Sequence, residues 1–594
     1  MENNNEKLHN LRHSLAHLLA AAVLELYPDT KNTIGPSIED GFYYDFEFPF
    51  PISDKDLPKI EKKMKEILKS WKEFSHEEKT EKEAKEYFAN NEYKLELINE
   101  IVEKGSADAK ALVDKEKITF YTCGNFTDLC RGGHLENPSK EIKPDSFKLD
   151  RVAGAYWRGD EKNKMLTRIY GLAFETKEEL EAYLKQREEA EKRDHKKLGK
   201  ELDLFLIDEK VGKGLPLWTP KGTTIKFELE NYTRELERKY GYQHVETPYL
   251  GAEELYRTSG HLDHYSKNMY APIDMDGDKF YLRPMACPHH IRMYQRKQWS
   301  YKDLPIRYAE IADYNRYEKS GELMGMIRVR KFQLTDGHLF VTPEGLKDEF
   351  KLVCNMIIEG MKGLGLIDIV SYRFSKRDPK NKEKYYPDDN LWDHAESLMK
   401  EALDELGLSY VEAEDEAAFY GPKLDVQAKN VNGKEDTLFT AQMDFLLPEK
   451  FDMEYIDRDG KKKRPVMIHR STIGCLERTF GFLIEHYAGN FPLWLSPVQV
   501  KVIPVRINHN EYAKQVYELL KENNIRAELN DEEANLGGKV RDAKNNKIPY
   551  WIVIGDKEIE ADKITLESRD KGQLGQISKE ELLKKLSEEI KNKK

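Results

Sequence analysis

"RHSLAHLLAAAVLELY" (residues 12–27) and "DLCRGGH" (residues 128–134) decide how this chain is read. The first places His13 and His17 four apart in a segment where Leu8, Leu11, Leu15, Leu18, Leu19 and Val23 recur near every 3.6 residues. That period predicts a helix over residues 6–27 with both histidines on one face. The second places Cys130 and His134 four apart around two glycines, which let the backbone approach a ligand closely. Four nitrogen and sulfur side chains in two such pairs are compatible with a tetrahedral metal cage. They are equally compatible with a polar hydrolytic pocket without metal, or with a capped helix beside an unrelated glycine loop. Spacing alone leaves all three open.

The chain has 594 residues, too many for one hydrophobic core, so three or four domains are expected. It is 39% hydrophobic and 34% charged, and no run of about 18 apolar residues occurs, so no membrane span is expected. "MENNNEKLHN" lacks the basic-then-apolar order of a secretory signal, and a cytoplasmic protein is expected. The five cysteines are an odd number with no C-x-x-C pair, which argues against a disulfide framework and a zinc ribbon. Single thiols remain available as ligands. A net charge of −12 argues against indiscriminate nucleic-acid binding and leaves room for local basic patches.

"TIGPSIEDGFYYDFEF" (33–48) reads as a turn followed by a strand, residues 55–104 as a Lys/Glu-rich helical region, and "KITFYTCGNFTDLCRGGHL" (117–135) as a strand running into a loop. "TKEELEAYLKQREEAEKRDHKKLGKEL" (176–202) is helical, charged and poor in apolar residues, which predicts a solvated connector. The expected divisions are therefore 1–175, the connector 176–202, a long mixed region 203–495, and 496–594. In the last, "VQVKVIPV", "IRAELN" and "PYWIVIG" alternate with helical segments, which predicts a small α/β domain with a largely parallel sheet. "KEELLKKLSEEIKNKK" is a closing amphipathic helix. There are no internal repeats.

"RHSLAHLLA", "IGPSIEDGFYYDF", "DLCRGGH" and "AGAYWRGDEKNKMLTRIYG" together closely resemble the second N-terminal domain of threonyl-tRNA synthetases. In that family this domain hydrolyses serine mischarged onto the tRNA for threonine. The resemblance carries the editing role to His13, His17, Cys130 and His134, with Tyr44, Lys94 and Asp128 as supporting groups. The family usually reads "CRGPH"; here Gly133 stands in place of the proline.

Residues 203–495 resemble the class II synthetase core of the same family. "GYQHVETPYL" is similar to its motif 1, with Pro248 as the motif proline, a segment that builds a homodimer interface. "RYAEIADYNRYEKSGELMGMIRVRKF" (307–332) is similar to motif 2 and "GCLERTFGFLIEHY" (474–487) to motif 3. Forming an aminoacyl-adenylate brings a carboxylate against the α-phosphate of ATP, and negative charge must be neutralised there. Arginine suits this, being planar and always charged. The resemblance assigns Arg316 to the α-phosphate, Glu318 to adenine and Arg478 to the γ-phosphate, with Mg²⁺ offsetting the remaining charge.

"PMACPHH" (284–290), "TDGHLF" (335–340) and "VMIHRS" (466–471) hold Cys287, His338 and His469, separated by 51 and 131 residues, which matches no local zinc pattern. By resemblance they hold one Zn²⁺ per subunit in the amino-acid pocket. Three protein ligands leave a position open for the amino group and hydroxyl of L-threonine. Valine lacks the hydroxyl, and a purely apolar pocket would reject it only about a hundredfold. Serine has the hydroxyl and lacks only a methyl worth about 1 kcal/mol, so a second, hydrolytic sieve is needed. The two constellations explain each other. By the same resemblance Met285, Asp336, Tyr420 and Gln442 line the threonine pocket. Lys423 lies near the tRNA acceptor end or substrate, and His261, in "TSGH", assists transfer to the ribose.

Some positions depart from the family pattern. Leu334 stands where Gln is usual, with Gln333 beside it; "IADYNRYEKSG" replaces "FGSCHRNEPSG"; His289 replaces a Gly and Cys475 a Ser. Residues 498–594 resemble the anticodon-binding domain shared by the threonine, proline, histidine and glycine enzymes, with Lys539, Arg541, Lys544 and Lys547 as a basic run. The resemblance starts almost at Met1, so the small ubiquitin-like domain common in the family is expected to be absent. The expected fold is thus multidomain, α/β and α+β: an α+β editing domain, an antiparallel class II catalytic core and a C-terminal α/β anticodon-binding domain. The expected function is ATP-dependent ligation of threonine to tRNA(Thr) with editing of Ser-tRNA(Thr). The alternatives are a synthetase-like RNA-binding regulator and a stand-alone deacylase with a degenerate core.

Overall fold

The structure is a computed structural model that describes residues 2–104 and 117–594. It divides into two units, Met1–Arg187 and Glu188–Lys594. Among the described residues no helix is long and apolar enough to cross a membrane.

In the first unit the helix Glu2–Leu26 buries Leu11, Leu15, Leu18, Leu19 and Val23 against an antiparallel sheet. The sheet's main path runs Lys31–Asn32, Gly41–Glu47, Met165–Ala173, Phe147–Tyr156. The region 55–104 is not helical throughout. Ser75–Thr80 is a strand, paired antiparallel with Lys117–Cys123 between the helices Leu57–Leu68 and Glu81–Tyr87. Its sequence, SHEEKT, carries no apolar alternation because it is an exposed edge strand, where charge is tolerated and discourages pairing with other chains. Lys117–Cys123 turns back through Phe126–Leu129 before the loop that carries Cys130, so 117–135 is a hairpin and then a loop.

The connector is not uniformly solvated. Its helix Lys177–Arg193 ends at Asp194, whose side chain caps a second helix, His195–Glu201. His195, Leu198 and Leu202 of that second segment are buried. The central sheet has eight strands in the order Gln243–His244, Ile306–Asn315, Lys331–Val341, Val466–Cys475, Glu435–Asp444, Lys423–Lys429, Val370–Ser375, Tyr410–Ala413. It is antiparallel except at its two outermost pairs. The helices Pro220–Lys239, Leu346–Gly363 and Leu476–Tyr487 contribute buried residues to its principal core.

The C-terminal sheet, Ala527–Leu529, Val500–Pro504, Tyr550–Ile554, Ile564–Ser568, Gly572–Ile577, is mixed rather than largely parallel. Its first three strands are parallel and its last two antiparallel. The connection after Ile554 holds only the short helix Asp556–Ala561. That is less than the dozen or so residues a parallel crossover requires. Lys539 is buried and donates to the carbonyls of Pro504 and Asn530, each at 3.1 Å, so it is a structural cation within that basic run.

Candidate active sites

Strand register assembles the first site. Lys331–Val341 lies between two antiparallel partners, and His338 directly faces His469. His469 in turn faces Gln442, and Gln442 faces Lys423. Directly opposed residues point to the same side of a sheet, so the four side chains form a row. Asp336, two residues before His338, shares that face. Cys287 opens the helix Cys287–Tyr294 and completes a buried group with His338 and His469 whose ligand atoms all lie within 4.8 Å of one another.

The outer nitrogens of both imidazoles are engaged. His469 Nε2 lies 2.7 Å from the Asp444 carboxylate. His338 Nδ1 lies 2.8 Å from His290 Nδ1, and His290 Nε2 lies 3.0 Å from Glu310 Oε2. Glu310 also accepts from Arg283 at 2.9 Å and from the Thr247 hydroxyl at 2.7 Å. Burial works to raise the Glu310 pKa, but these donors, His290 and Arg283 foremost, outweigh it and hold it at about 2. The carboxylate therefore takes the His290 Nε2 hydrogen, and His290 Nδ1 is an acceptor. His338 then carries its hydrogen on Nδ1 and leaves the Nε2 lone pair free. Burial above all keeps His338 neutral, and burial with nearby Asp336 and Asp444 raises the Cys287 thiol well above its usual range. A buried sulfur and two imidazoles with occupied outer nitrogens fit a zinc centre with one open position.

Met285, Arg316, Glu318, Asp336, Tyr420, Gln442 and Arg478 line the same cavity of roughly 250 Å³ as these three ligands. The Tyr314 hydroxyl donates to Asp336, and Tyr420 donates to Gln442. Glu318 is paired with Arg328 at 2.8 Å, and Arg478 donates to the carbonyls of Ile327 (3.2 Å) and Thr437 (3.1 Å). His261 does not line the cavity. It is buried, its Nε2 lies 3.2 Å from Met285 Sδ, and burial followed by His469 and Arg316 lowers its pKa to about 3. Lys423 is also outside the lining and forms an ion pair with Asp425 at 2.7 Å. Two of the departures form one cross-strand pair: Leu334 and Cys475 face each other across adjacent strands and pack beside the same apolar cluster.

The second site lies in the first unit. Cys130 Sγ is 3.5 Å from His13 Nε2 and 3.3 Å from His134 Nε2. The His13 and His134 rings stack at 4.4 Å, and His134 stacks on Phe74 at 4.0 Å. His13 Nδ1 lies 3.3 Å from the Gly133 carbonyl. Gly132 and Gly133 have φ of 88° and 79°, so the second glycine occupies a conformation closed to proline, whose φ is fixed near −65°. Burial raises the Cys130 pKa to about 12 and lowers His134 to about 3. His13 and His17 are lowered by burial as well. Behind them Lys94 Nζ lies 2.5 Å from Asp128, which also accepts from the Tyr44 hydroxyl. The four donor atoms of His13, His17, Cys130 and His134 also lie within 4.8 Å of one another. Yet the Nδ1 atoms of His17 and His134 are buried without a partner, unlike the backed imidazoles of the first site.

Sequence reading passed over His290, Glu310, Tyr314 and Asp444 in the first site; in the second it passed over Phe74, Tyr121, whose ring lies 5.1 Å from that of His134, and Asn32, whose amide donates to Asp128 at 3.4 Å. Asp444 was findable, being two residues beyond Gln442 on one strand. Glu310 and Tyr314 share an alternate face of Ile306–Asn315 in the same way.

Three family descriptions match the chain: "tRNA synthetase class II core domain (G, H, P, S and T)" over residues 270–487, "Anticodon binding domain" over 499–589, and "Threonyl and Alanyl tRNA synthetase second additional domain" over 118–170. A Threonine–tRNA ligase of Anoxybacillus flavithermus is 52% identical over 557 residues, covering 93% of this chain and 84% of the relative. One from Staphylococcus carnosus is 49% identical, covering 99% and 89%. Among solved structures, the RNA binding domain of threonyl-tRNA synthetase from Cryptosporidium parvum Iowa II aligns with a TM-score of 0.63 at 32% identity, over 67% of this chain and 98% of that one. With half its residues shared over nearly its full length, and with an editing, a class II and an anticodon-binding segment in that order, the chain belongs to the threonine–tRNA ligases, the threonyl-tRNA synthetase family.

Proposed function

We propose that the chain activates L-threonine with ATP, transfers it to tRNA(Thr), and hydrolyses Ser-tRNA(Thr) in a separate pocket. One observation carries the reading most: the Cys287, His338 and His469 ligand atoms converge in the wall of the cavity that Arg316 and Arg478 also line. A Zn²⁺ held there supplies a Lewis-acid position that favours an amino acid with a side-chain hydroxyl. Met285, Asp336, Tyr420 and Gln442 bound the space for that amino acid. Arg316 and Arg478 hold the phosphates in line, with Mg²⁺ offsetting the remaining charge, and Glu318, fixed by Arg328, meets the adenine. His261, kept neutral by burial, accepts a proton during transfer to the ribose. Lys423 serves the acceptor end from beside Gln442.

In the editing pocket a thiol with a pKa of about 12 is not a thiolate at neutral pH, so Cys130 is not read as a nucleophile. Neutral His13 and His134 instead orient and deprotonate a water that attacks the seryl ester, and Lys94, Asp128 and Tyr44 brace the pocket. Exposed Leu206, Ile207 and Leu217, with Tyr249 beside Pro248, are the apolar surface a second copy would cover in a homodimer. Pyrophosphate exchange tests the activation reading. The expected result is exchange with threonine, weaker exchange with serine, and valine rejected by well over the hundredfold an apolar pocket gives. Zinc should co-purify and be lost from Cys287→Ala and His469→Ala. A folded, metal-loaded enzyme without threonine-dependent exchange would refute the proposal. Loss of Ser-tRNA deacylation in His13→Ala, with exchange intact, is the matching result for the second pocket.

A further inference from the structure

His195, in the connector, takes no part in the chemistry above, yet it is buried with both ring nitrogens engaged. Its Nδ1 lies 2.6 Å from Glu485 Oε1, and its Nε2 accepts from the backbone N–H of Met326 at 3.1 Å. A backbone amide only donates, so Nε2 carries the lone pair and Nδ1 the hydrogen, which goes to the carboxylate. Met326 sits in the loop between the strands Ile306–Asn315 and Lys331–Val341. The next residue, Ile327, lines the cavity and accepts from Arg478 Nε at 3.2 Å; Arg328 follows, paired with Glu318. Gly325 precedes, with φ of 50°, and a Cβ there would lie 2.0 Å from His195 Nε2. That position lacks a side chain, so the imidazole reaches the amide. Glu485 and Arg478 stand seven residues, two turns, apart on the helix Leu476–Tyr487.

The contacts close a ring. The helix holds His195, His195 holds the loop, the loop carbonyl aims Arg478, and Arg478 belongs to the helix. We infer that His195 is a positioning residue for the nucleotide: the connector fixes residues 325–328 so that Arg478 and Glu318 are aimed before ATP arrives. This rests on reading the cavity as the ATP site.

Side chains that each keep one half of the imidazole's bonding provide the test. In His195→Gln the amide oxygen reaches the Nε2 position and keeps the Met326 bond; in His195→Asn the amide nitrogen keeps the Glu485 bond and the loop bond is lost. Threonine-dependent exchange should show KM for ATP raised about three- to tenfold in His195→Asn, the worth of one neutral hydrogen bond, and close to wild type in His195→Gln. The KM for threonine and kcat should stay within about twofold in both. Gly325→Ala, whose Cβ would collide with the imidazole and push the loop off it while His195 itself is unchanged, should reproduce His195→Asn. Calorimetric binding of a non-hydrolysable ATP analogue to the full chain should give the same ratios without turnover, and zinc content should not change. Equal effects of Asn and Gln, or losses shared between ATP and threonine, would overturn the inference and leave the activation reading standing. Absence of exchange in the unaltered enzyme would remove that reading, and the inference with it.

Discussion

His134 lies against Phe74 and has lost most of its water, so its pKa falls from 6.5 to about 3, with His13 adding a smaller repulsion. The folded pKa is depressed, so the unfolded chain binds the extra proton between those two values. The pocket therefore loses stability as pH falls from 6.5 toward 3 and pays nothing above 6.5. Within that window the native imidazole stays neutral, the form a general base requires. Ser-tRNA deacylation should accordingly hold its kcat from pH 8 down to about 5, where an ordinary histidine base would already have lost most of its activity. A titration with its midpoint near 6.5 would show that His134 is solvated and the assigned role wrong. The zinc-type site of the catalytic core marks a limit of reading side chains from a string. "PHH" offers two adjacent histidines, and only the fold sends His289 to the Leu250 carbonyl and His290 to His338.

At the scale of elements, pairing decides what each residue meets. Leu334 and Cys475 replace a glutamine and a serine common in the family, and they oppose each other across two strands. Both departures therefore fall on a single cross-strand pair. Leu334→Gln alone should bury an amide beside a thiol at a cost of about 1–3 kcal/mol, and Cys475→Ser alone should cost less. The double variant should be more stable than the sum by about 1 kcal/mol, measured by denaturant unfolding. Additivity within about 0.5 kcal/mol would mean that the two positions do not communicate. Gln333 cannot substitute for the lost glutamine. Its neighbour Leu334 lines the cavity, and alternation turns Gln333 away from it. Legibility follows the same physics. The helix Glu2–Leu26 and the strand Gly41–Glu47 announce themselves by period, because each buries apolar residues of its own. Ser75–Thr80 does not, since its identity as a strand comes from its partner. His338 facing His469 depends on a register set by residues far apart in sequence, and only the resemblance made that pair visible.

Across the larger unit, one helix ties two domains. Pro220–Lys239 buries Ile225, Leu229, Tyr232 and Leu236 in the catalytic core. A different stripe of the same helix carries Lys221, Glu228 and Glu235, each seven residues from the next and so on one face. Lys221 donates to Asn546 at 3.1 Å, Glu228 pairs with Arg526 at 2.8 Å, and Glu235 pairs with Lys593 at 3.2 Å. All three partners belong to the C-terminal domain. Arg526 also donates to the carbonyls of Trp494 and Ser496 at the junction, so the central contact is anchored at both ends. Half-exposed pairs of this kind contribute about 0.2–1 kcal/mol each, enough to fix an orientation without making the catalytic core depend on it. Replacing Lys221, Glu228 and Glu235 together by alanine should leave threonine-dependent pyrophosphate exchange within about twofold of wild type, because none of them reaches the cavity. Aminoacylation should suffer, through a raised KM for tRNA, since the anticodon-binding domain no longer sits at a fixed distance from the acceptor end. Proteolysis between residues 488 and 499 should quicken in parallel. If exchange falls while the KM for tRNA holds, the stripe supports the catalytic core and does not set the reach between the domains.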